Sequence, residues 1–515
     1  MLSQPIFISI VGFILTCVVV HRIWYTRALP LPPGPPSWPI VGVALRHPKL
    51  EFWKTYAAWG SQYGAGGLLS FHIFGRRLIV LNSAVDAINL FSKRSAIYSD
   101  RPLATMSGRL MRREKSIFCC SYNDRLRGYR RLMHQSFNPT TSQTFWEMEE
   151  KEAAMLVDRP AVLIVTSPER LVEHLRKNAA AVIMKIAYGY PVNRNDDHFV
   201  LLAEEGIKIA SMASAPGKWL VDSFPWLRFL PNWFPGADFK VKAQKWSSAL
   251  YQQSLEPHEW VKEQIRANTA IPSFTSTLLQ PADGHPVDAD EEDKILWTSG
   301  ALYFAGADTS VSVVNSFFFT MMMNPVVQKT AQDEVDRFFA SEHRLPTLHD
   351  QAAFPYVACI LKEVLRWAPA SPFGLFHCTS KPDVYKGFLI PANTPVMGNI
   401  WAMMHDEAVY PDPFSFDPAR FLGENPQQDP RDYAFGFGRR VCPGQYLAEN
   451  SIWIQMILSL LTLTISKAVD AEGRVIEPEV AFTSGVVSHV KPFKYQISIR
   501  SPTALALVKE SLQTN

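Results

Sequence analysis

The first long apolar run of the chain covers residues 6–20 and resumes before Arg27. It is just long enough to cross a bilayer core of about 30 Å. No lysine or arginine precedes the run, whereas Arg22 and Arg27 follow it, so the positive-inside bias keeps the rest of the chain in the cytosol. We expect an uncleaved single-pass anchor over residues 1–28. A cleaved signal peptide is the alternative, which the missing basic start and the bulky Trp24 disfavour.

A second apolar run lies between residues 288 and 323. Acidic residues open it, which suits the N-terminus of a helix. The apolar part that follows carries a single charge, Asp308, and Asn324-Pro325 ends it. Hydropathy alone therefore predicts a second transmembrane helix here.

Shorter patterns predict the remaining elements. Proline-rich residues 29–40 predict a stiff, extended hinge. Short β-type runs within residues 68–81 surround Gly75-Arg76-Arg77, which predicts a hairpin, and helical patterns then dominate. Residues 215–246 interleave aromatic rings with prolines and lysines. If exposed, this segment would contact a membrane at the level of the lipid headgroups, and if buried it would be a core segment between helices.

Composition narrows the possible classes of protein. A chain of 515 residues with 47% hydrophobic residues can bury a large core; its length suggests two or three domains, although large single domains exist. The net charge of +3 is too small to indicate a nucleic-acid partner. The six cysteines show no disulfide-framework spacing, and no Asn-x-Ser/Thr acceptor with a permitted middle residue is present. These absences indicate a reducing, cytosol-facing body.

One of these cysteines, Cys442, lies in a tight loop just before a long apolar helix-like run. Glycines and a proline let the backbone turn sharply and approach a flat partner closely. The coming helix start, together with Arg439 and Arg440, favours a thiolate, which is either a nucleophile or a soft metal ligand. A buried structural cysteine in a glycine-rich turn is the alternative.

The loop over residues 435–444 resembles the haem-binding signature of the cytochrome P450 family at every fixed position: Phe435, Gly438, Arg440, Cys442 and Gly444. The resemblance implies that Cys442 is the axial ligand of haem b iron (iron protoporphyrin IX) and favours cleavage of the O–O bond. It also implies that Phe435 shields the sulfur and that Arg440 pairs with a haem propionate.

Residues 305–309 match the family's motif in the long central helix over the haem, which gives an alternative to the transmembrane prediction. Gly306 then leaves room for a groove that admits dioxygen. Thr309 can bond back to the Ala305 carbonyl, and Asp308 can relay protons from solvent. A buried polar pair that merely kinks a helix is the other interpretation.

Further motifs follow the family's order. Arg130 matches a helix whose arginine pairs with a propionate, although Leu126 replaces the usual tryptophan; a solvated basic helix face is the alternative. His377 lies where relatives hold the second propionate. Residues 482–493 resemble the last pocket-lining hairpin, in which Val486, Val487 or His489 would face substrate. Glu-x-x-Arg at 363–366 and the arginine of Pro-x-Arg-Phe at 418–421 resemble the family's structural trio.

The resemblance extends from the hinge to about residue 493 and implies a mainly helical fold with small β-sheets, a single haem domain over residues 41–515 behind the transmembrane anchor. The implied reaction inserts one oxygen atom of O2 into an apolar small molecule. Residues 215–225 and 231–236 resemble fungal members of the family, which suggests a terpenoid, polyketide or indole metabolite. The chain carries no flavin or nicotinamide motif, so electrons would come from NADPH-cytochrome P450 reductase, which Arg439 could meet. The implied location is the endoplasmic reticulum membrane. A haem-thiolate isomerase or dehydratase and a non-enzymatic haem sensor remain alternatives.

Overall fold

The computed structural model describes residues 29–163, 170–192, 197–215 and 217–513. The predicted anchor over residues 1–28 lies outside these ranges. Helices make up most of the described chain, and small β-sheets accompany them, as expected. Cys119, Cys120, Cys359, Cys378 and Cys442 are free thiols.

The α-helices follow one another through the whole described chain. In order they are α1 (Phe52–Tyr63), α2 (Ala84–Ala87), α3 (Ser95–Tyr98), α4 (Asp124–Phe137), α5 (Trp146–Leu163), α6 (Leu171–Tyr188), α7 (His198–Ser214), α8 (Leu220–Ser223), α9 (Asp238–Arg266), α10 (Phe274–Leu279), α11 (Ala289–Met323), α12 (Pro325–Glu342), α13 (Pro355–Trp367), α14 (Ile400–Met404), α15 (Arg431–Ala434), α16 (Gln445–Thr462) and α17 (Pro502–Gln513).

The strands form one sheet of four and two sheets of two. They are β1 (Leu68–Ile73), β2 (Arg76–Leu81), β3 (His377–Cys378), β4 (Asp383–Tyr385), β5 (Phe388–Ile390), β6 (Pro395–Gly398), β7 (Leu463–Lys467) and β8 (Tyr495–Ile499). The larger sheet has the order β1-β2-β6-β3, with β2 and β6 parallel. Gly75, at a φ of +76°, turns β1 into β2, so the predicted hairpin is confirmed.

The long helix α11 is the centre of the fold. Asp288 caps it by accepting the Glu291 N–H at 2.8 Å, and acidic residues in its first turn complement the helix dipole. Most of its apolar side chains are buried against other helices on all sides. The prediction of a transmembrane helix is therefore wrong, because an all-round apolar helix also suits the core of a large domain. In the part of the chain that the structure describes, no single helix is long and apolar enough to span a membrane, although α11 and α12 together pass that test across a 107° bend.

A buried ionic trio joins α13 to the segment before the cysteine loop. Arg366 donates Nε and Nη2 to the two carboxylate oxygens of Glu363 at 2.7 and 2.8 Å. Arg420 Nε donates to Glu363 Oε1 at 3.1 Å, and these three side chains are at most 3% exposed. The carbonyls of Met404 and Pro413 accept further N–H groups of Arg366. The predicted trio is confirmed, and it is structural.

The aromatic segment over residues 215–246 combines rings packed on the core with exposed rings, and its contact with a membrane stays a prediction. Trp219 and Trp246 pack edge to face at 5.7 Å against a buried cluster. Trp226, Phe229 and Trp233 are 62%, 73% and 80% exposed. Large exposed rings grouped within one short segment are uncommon on a protein that meets only water.

Candidate functional site

The cysteine loop joins α15 to α16 and is closed by a short hydrogen bond. The Cys442 N–H donates to the Phe435 carbonyl at 2.7 Å. Gly438 has a φ of +53°, and a Cβ there would lie 2.2 Å from the carbonyl oxygen of Phe91. A side chain at 438 would therefore push the loop away from its neighbour. At Gly444, by contrast, a Cβ would meet nothing within 4 Å, so protein packing alone does not require a glycine there.

The thiol of Cys442 differs from the sequence-based expectation. Burial raises its pKa, while the Gly444 N–H and the Arg130 guanidinium act in the opposite direction. Arg439 does not contribute, because it is exposed and lies over the Tyr122 ring at 4.5 Å. The predicted source of positive charge was therefore wrong: it is Arg130, on α4. A buried thiol with a raised pKa needs a partner such as a soft metal to lose its proton at neutral pH.

Arg440 points towards backbone carbonyls beside the loop. It donates to the carbonyls of Ser99, Ile117 and Cys120 at 2.8, 3.2 and 2.5 Å. Burial lowers the pKa of Arg440 to about 10. The guanidinium is thus held firmly by the backbone while its charge remains largely uncompensated.

Arg130 reaches the loop from α4. It is half-buried and donates to the Val441 carbonyl at 2.5 Å. Arg127 and Arg131 on the same helix are exposed, so the solvated-face interpretation suits those two and not Arg130. Leu126, at the position of the family's usual tryptophan, is fully buried and serves as a core side chain.

His377 lies in β3 and is packed from both sides. Its ring stacks on Phe91 with centroids 4.0 Å apart, and its Nδ1 bonds to the Tyr98 carbonyl at 2.7 Å. Burial and the charges of Arg101 and Arg440 hold the pKa of His377 well below its usual value. The neutral ring therefore donates Nδ1–H to the carbonyl and presents Nε2 as an acceptor, and the negative charge of a nearby anion would raise the pKa of His377 and favour its protonated form.

Arg101 completes this group, and the sequence reasoning missed it. It donates to the carbonyls of Leu375 and Phe376 at 2.8 and 2.7 Å, while its buried Nε has no hydrogen-bond partner. Burial and the neighbouring Arg440 lower the pKa of Arg101 to about 9. The sequence signal for Arg101 was weak: it precedes Pro102 and lies outside any helical pattern, so a solvated helix face does not account for this arginine.

Together Arg101, Arg130, His377 and Arg440 form what we call the basic cluster. Among the described residues, no carboxylate forms an ion pair with any of its three arginines. Buried cations without counter-ions are unfavourable, so the cluster suits a ligand that brings negative charge. A flat group with two carboxylates and a central metal that bonds Cys442 fits this donor set.

The central helix carries the predicted hydroxyl and acid. Thr309 Oγ1 donates to the Ala305 carbonyl at 2.7 Å, which confirms the predicted back-bond. Asp308 Oδ1 lies 3.1 Å from His489 Nε2, a contact that the sequence did not predict. Ala305 is exposed, so protein atoms do not cover this face of α11. An acid and a hydroxyl on adjacent residues, Asp308 and Thr309, can donate and accept protons or hydrogen bonds at this face of α11.

Gly306 has a packing reason besides the predicted groove. A Cβ there would lie 2.5 Å from Ile183 Cδ1 on α6. The glycine therefore allows α6 and α11 to approach closely. Its part in admitting dioxygen stays a prediction.

The predicted pocket-lining hairpin is fastened to α11. Phe482 and Val490 pair as an antiparallel bridge. Ser312 Oγ donates to the Ser488 carbonyl at 2.5 Å, and the Ser488 N–H donates to the Ala370 carbonyl at 2.8 Å. His489 therefore reaches Asp308 from a rigid support, whereas Val486 points outward and is 37% exposed.

The cytochrome P450 family profile matches residues 32–497. The chain belongs to the cytochrome P450 family. It is 40% identical to cytochrome P450 monooxygenase 208 of Postia placenta over 500 residues, covering 96% of this chain and 95% of that protein. It is 37% identical to cytochrome P450 monooxygenase claR of Ampulloclitocybe clavipes over 515 residues, covering 99% and 94%. A zebrafish cytochrome P450 solved with abiraterone has the same fold, with a TM-score of 0.70 at 21% identity over 87% of this chain and 100% of that one.

Membership of the P450 family defines the general chemistry. The protein is an oxidoreductase of the monooxygenase type with a haem-iron cofactor. Members use O2, a small substrate and redox partners. The basic cluster and Cys442 are the described residues that fit this cofactor.

Proposed function

We propose that this P450 inserts one oxygen atom of O2 into an apolar small molecule, a fungal secondary metabolite of terpenoid, polyketide or indole type. The observation that carries the proposal is the basic cluster beside a buried thiol. Haem b fits it, since Cys442 Sγ would bond the iron and the cluster would hold the two propionates. When bound, the haem supplies the activation of dioxygen and the oxygen transfer.

The residues of α11 would manage protons above the haem. Asp308 Oδ1 lies 3.1 Å from His489 Nε2, and this pair would relay protons from solvent to α11. The Thr309 hydroxyl donates its hydrogen bond to the Ala305 carbonyl, so Oγ1 can accept a hydrogen bond from a water molecule. An acid and a hydrogen-bond acceptor on adjacent residues would hold and pass protons at this face of α11.

NADPH-cytochrome P450 reductase would deliver the electrons to the cysteine side. Arg127 and Arg439 are exposed there, with guanidinium carbons 5.5 and 4.5 Å from the Tyr122 ring. Arg131 is exposed on the same helix as Arg127. A basic surface of this kind complements an acidic redox partner and speeds their encounter.

The proposal extends to the membrane. Residues 1–28 would anchor the chain in the endoplasmic reticulum, residues 29–40 would form the hinge, and residues 41–515 would form the cytosolic haem domain. The exposed rings of Trp226, Phe229 and Trp233 support a second contact with lipid, because aromatic side chains favour the headgroup region.

Thr309→Ala tests the proton-handling role. We expect NADPH consumption to continue while the amount of product per NADPH falls by at least about tenfold. This loss is smaller than the roughly 10²-fold rate contribution of a well-placed proton donor. Peroxide should account for the missing product. The measurement is NADPH, product and peroxide in one assay with reductase present.

Thr298→Ala is the matched control for Thr309→Ala. Thr298 lies on the same helix and makes the same back-bond, to the Lys294 carbonyl at 2.6 Å. It should remain coupled. Equal uncoupling in both variants would reduce the role of Thr309 to helix geometry, and turnover without NADPH would favour an isomerase.

If the exposed rings contact lipid, replacing them should weaken the binding of the protein to membranes. In a chain without residues 1–28, Trp226→Ser, Phe229→Ser and Trp233→Ser together should weaken vesicle binding by at least about tenfold, because three large apolar surfaces are lost. Sedimentation with liposomes measures this. Val326→Ser, at a 78% exposed apolar side chain on α12, should change nothing. Equal binding of the triple variant and its parent would contradict the contact.

A further inference from the structure

A cavity of about 340 Å³ lies between residues 111–118, α9 and the first half of α11. The motifs that led to the proposed function do not include it. Trp297, Ala301 and Phe304 form its α11 wall. Phe304 is followed directly by Ala305, whose carbonyl accepts the hydroxyl of Thr309. The cavity therefore ends close to the region where oxygen transfer is proposed.

Two adjacent arginines, Arg112 and Arg113, give the cavity its charge. Neither forms an ion pair with a carboxylate of the described chain. Arg112 is exposed, and Arg113 is half-buried with its guanidinium carbon 5.8 Å from the Phe304 ring centroid. One arginine can thus meet a ligand at the rim, and the other lies beside the aromatic wall.

The backbone at Arg112 is held in a strained conformation. Its φ of +53° lies in the left-handed region, which non-glycine residues rarely adopt. Ser247 Oγ on α9 fixes the preceding residue by donating to the Met111 carbonyl at 2.7 Å, and the Arg113 N–H donates to the Gly108 carbonyl at 2.9 Å. Strain that the surroundings maintain is common at ligand clamps.

The rest of the lining combines hydroxyls with rings. Ser116, Ser248 and Tyr251 add polar groups, and Phe118 packs against Phe304 with ring centroids 5.4 Å apart. Hydroxyls and guanidinium groups together bind oxyanions, whereas the aromatic wall suits an apolar body.

We propose that this P450 takes small apolar carboxylic acids as substrates. The carboxylate binds at Arg112 and Arg113, the body lies along Phe118 and Phe304, and its far end extends along α11 towards Ala305 and Thr309. The inference rests on the proposed function and names the class of substrate for that same site. Arg113 is a specificity-determining residue in this arrangement.

Calorimetric titration of the full-length haem protein tests the proposal without relying on turnover. The probes are abietic, lauric and indole-3-butyric acids, each beside its methyl ester. At least one acid should bind about tenfold or more tightly than its ester, since a hydrogen-bonded charge contributes that much. This preference should weaken with added salt. Arg113→Gln should lower the affinity for the acid to that for the ester and leave the ester unchanged.

Arg109→Gln is the matched control, because Arg109 is exposed in the same segment and does not line the cavity. It should keep the preference for the acid. The proposal is overturned if no acid binds more tightly than its ester, or if Arg113→Gln weakens acid and ester equally. The carbon monoxide spectrum of each preparation distinguishes failure of the substrate class from failure of the proposed function. A normal spectrum with no preference for acids refutes the substrate class alone. An abnormal spectrum refutes the proposed function.

Discussion

We expect Cys442→Ala to lose the absorption band that marks a thiolate-ligated haem in the reduced carbon monoxide complex, together with all oxygenation. Cys442 is the proposed haem ligand, and alanine offers no ligand in its place. Burial raises the pKa of its thiol, so loss of the thiol proton at neutral pH would depend on bonding a metal. Difference spectroscopy of the purified protein measures the band.

Two buried cysteines serve as controls for this variant. Cys359 and Cys378 are 5% and 7% exposed, and burial raises the pKa of each thiol. Cys359→Ala and Cys378→Ala should retain the band, since each lies outside the loop. A normal band in Cys442→Ala would mean that iron bonds elsewhere, and the proposed function would then fall.

Glu363→Ala should cause a large loss of stability. The change leaves Arg366 and Arg420 as buried cations without a counter-ion, which costs about 3–5 kcal/mol. That is a large part of the roughly 5–15 kcal/mol by which most domains are stable. Denaturant titration followed by circular dichroism should show the loss, together with a low haem content.

The control has the same spacing on a helix surface. Asp124 and Arg127 form an i,i+3 pair whose side chains are 94% and 55% exposed. Asp124→Ala should leave the unfolding midpoint almost unchanged, because water solvates the remaining arginine. If both variants lost similar stability, burial would not be the reason for the cost.

The features that sequence predicted well are short in range. Thr309 bonds back to Ala305 within one helical turn, and Glu363 faces Arg366 because residues three apart share a helix face. The turns of the cysteine loop follow from its own glycines. In each case spacing along the chain determines the geometry.

The features that sequence missed depend on distant packing. Arg101 becomes part of the site because β3 and the loop around Arg440 fold against it. His489 meets Asp308 across 181 positions of the chain. Hydropathy alone could not assign the apolar stretch of α11, because it cannot distinguish lipid from a protein core, whereas the motif at residues 305–309 predicted the central helix that the structure shows.

The close approach of Ile183 to Gly306 limits how the middle of α11 can be redesigned. A methyl group added at position 306 would sit 2.5 Å from Ile183 Cδ1, so the Ile183 side chain would have to turn away. A variant that enlarges residue 306 should therefore be paired with a shorter side chain at position 183, which gives the new carbon room.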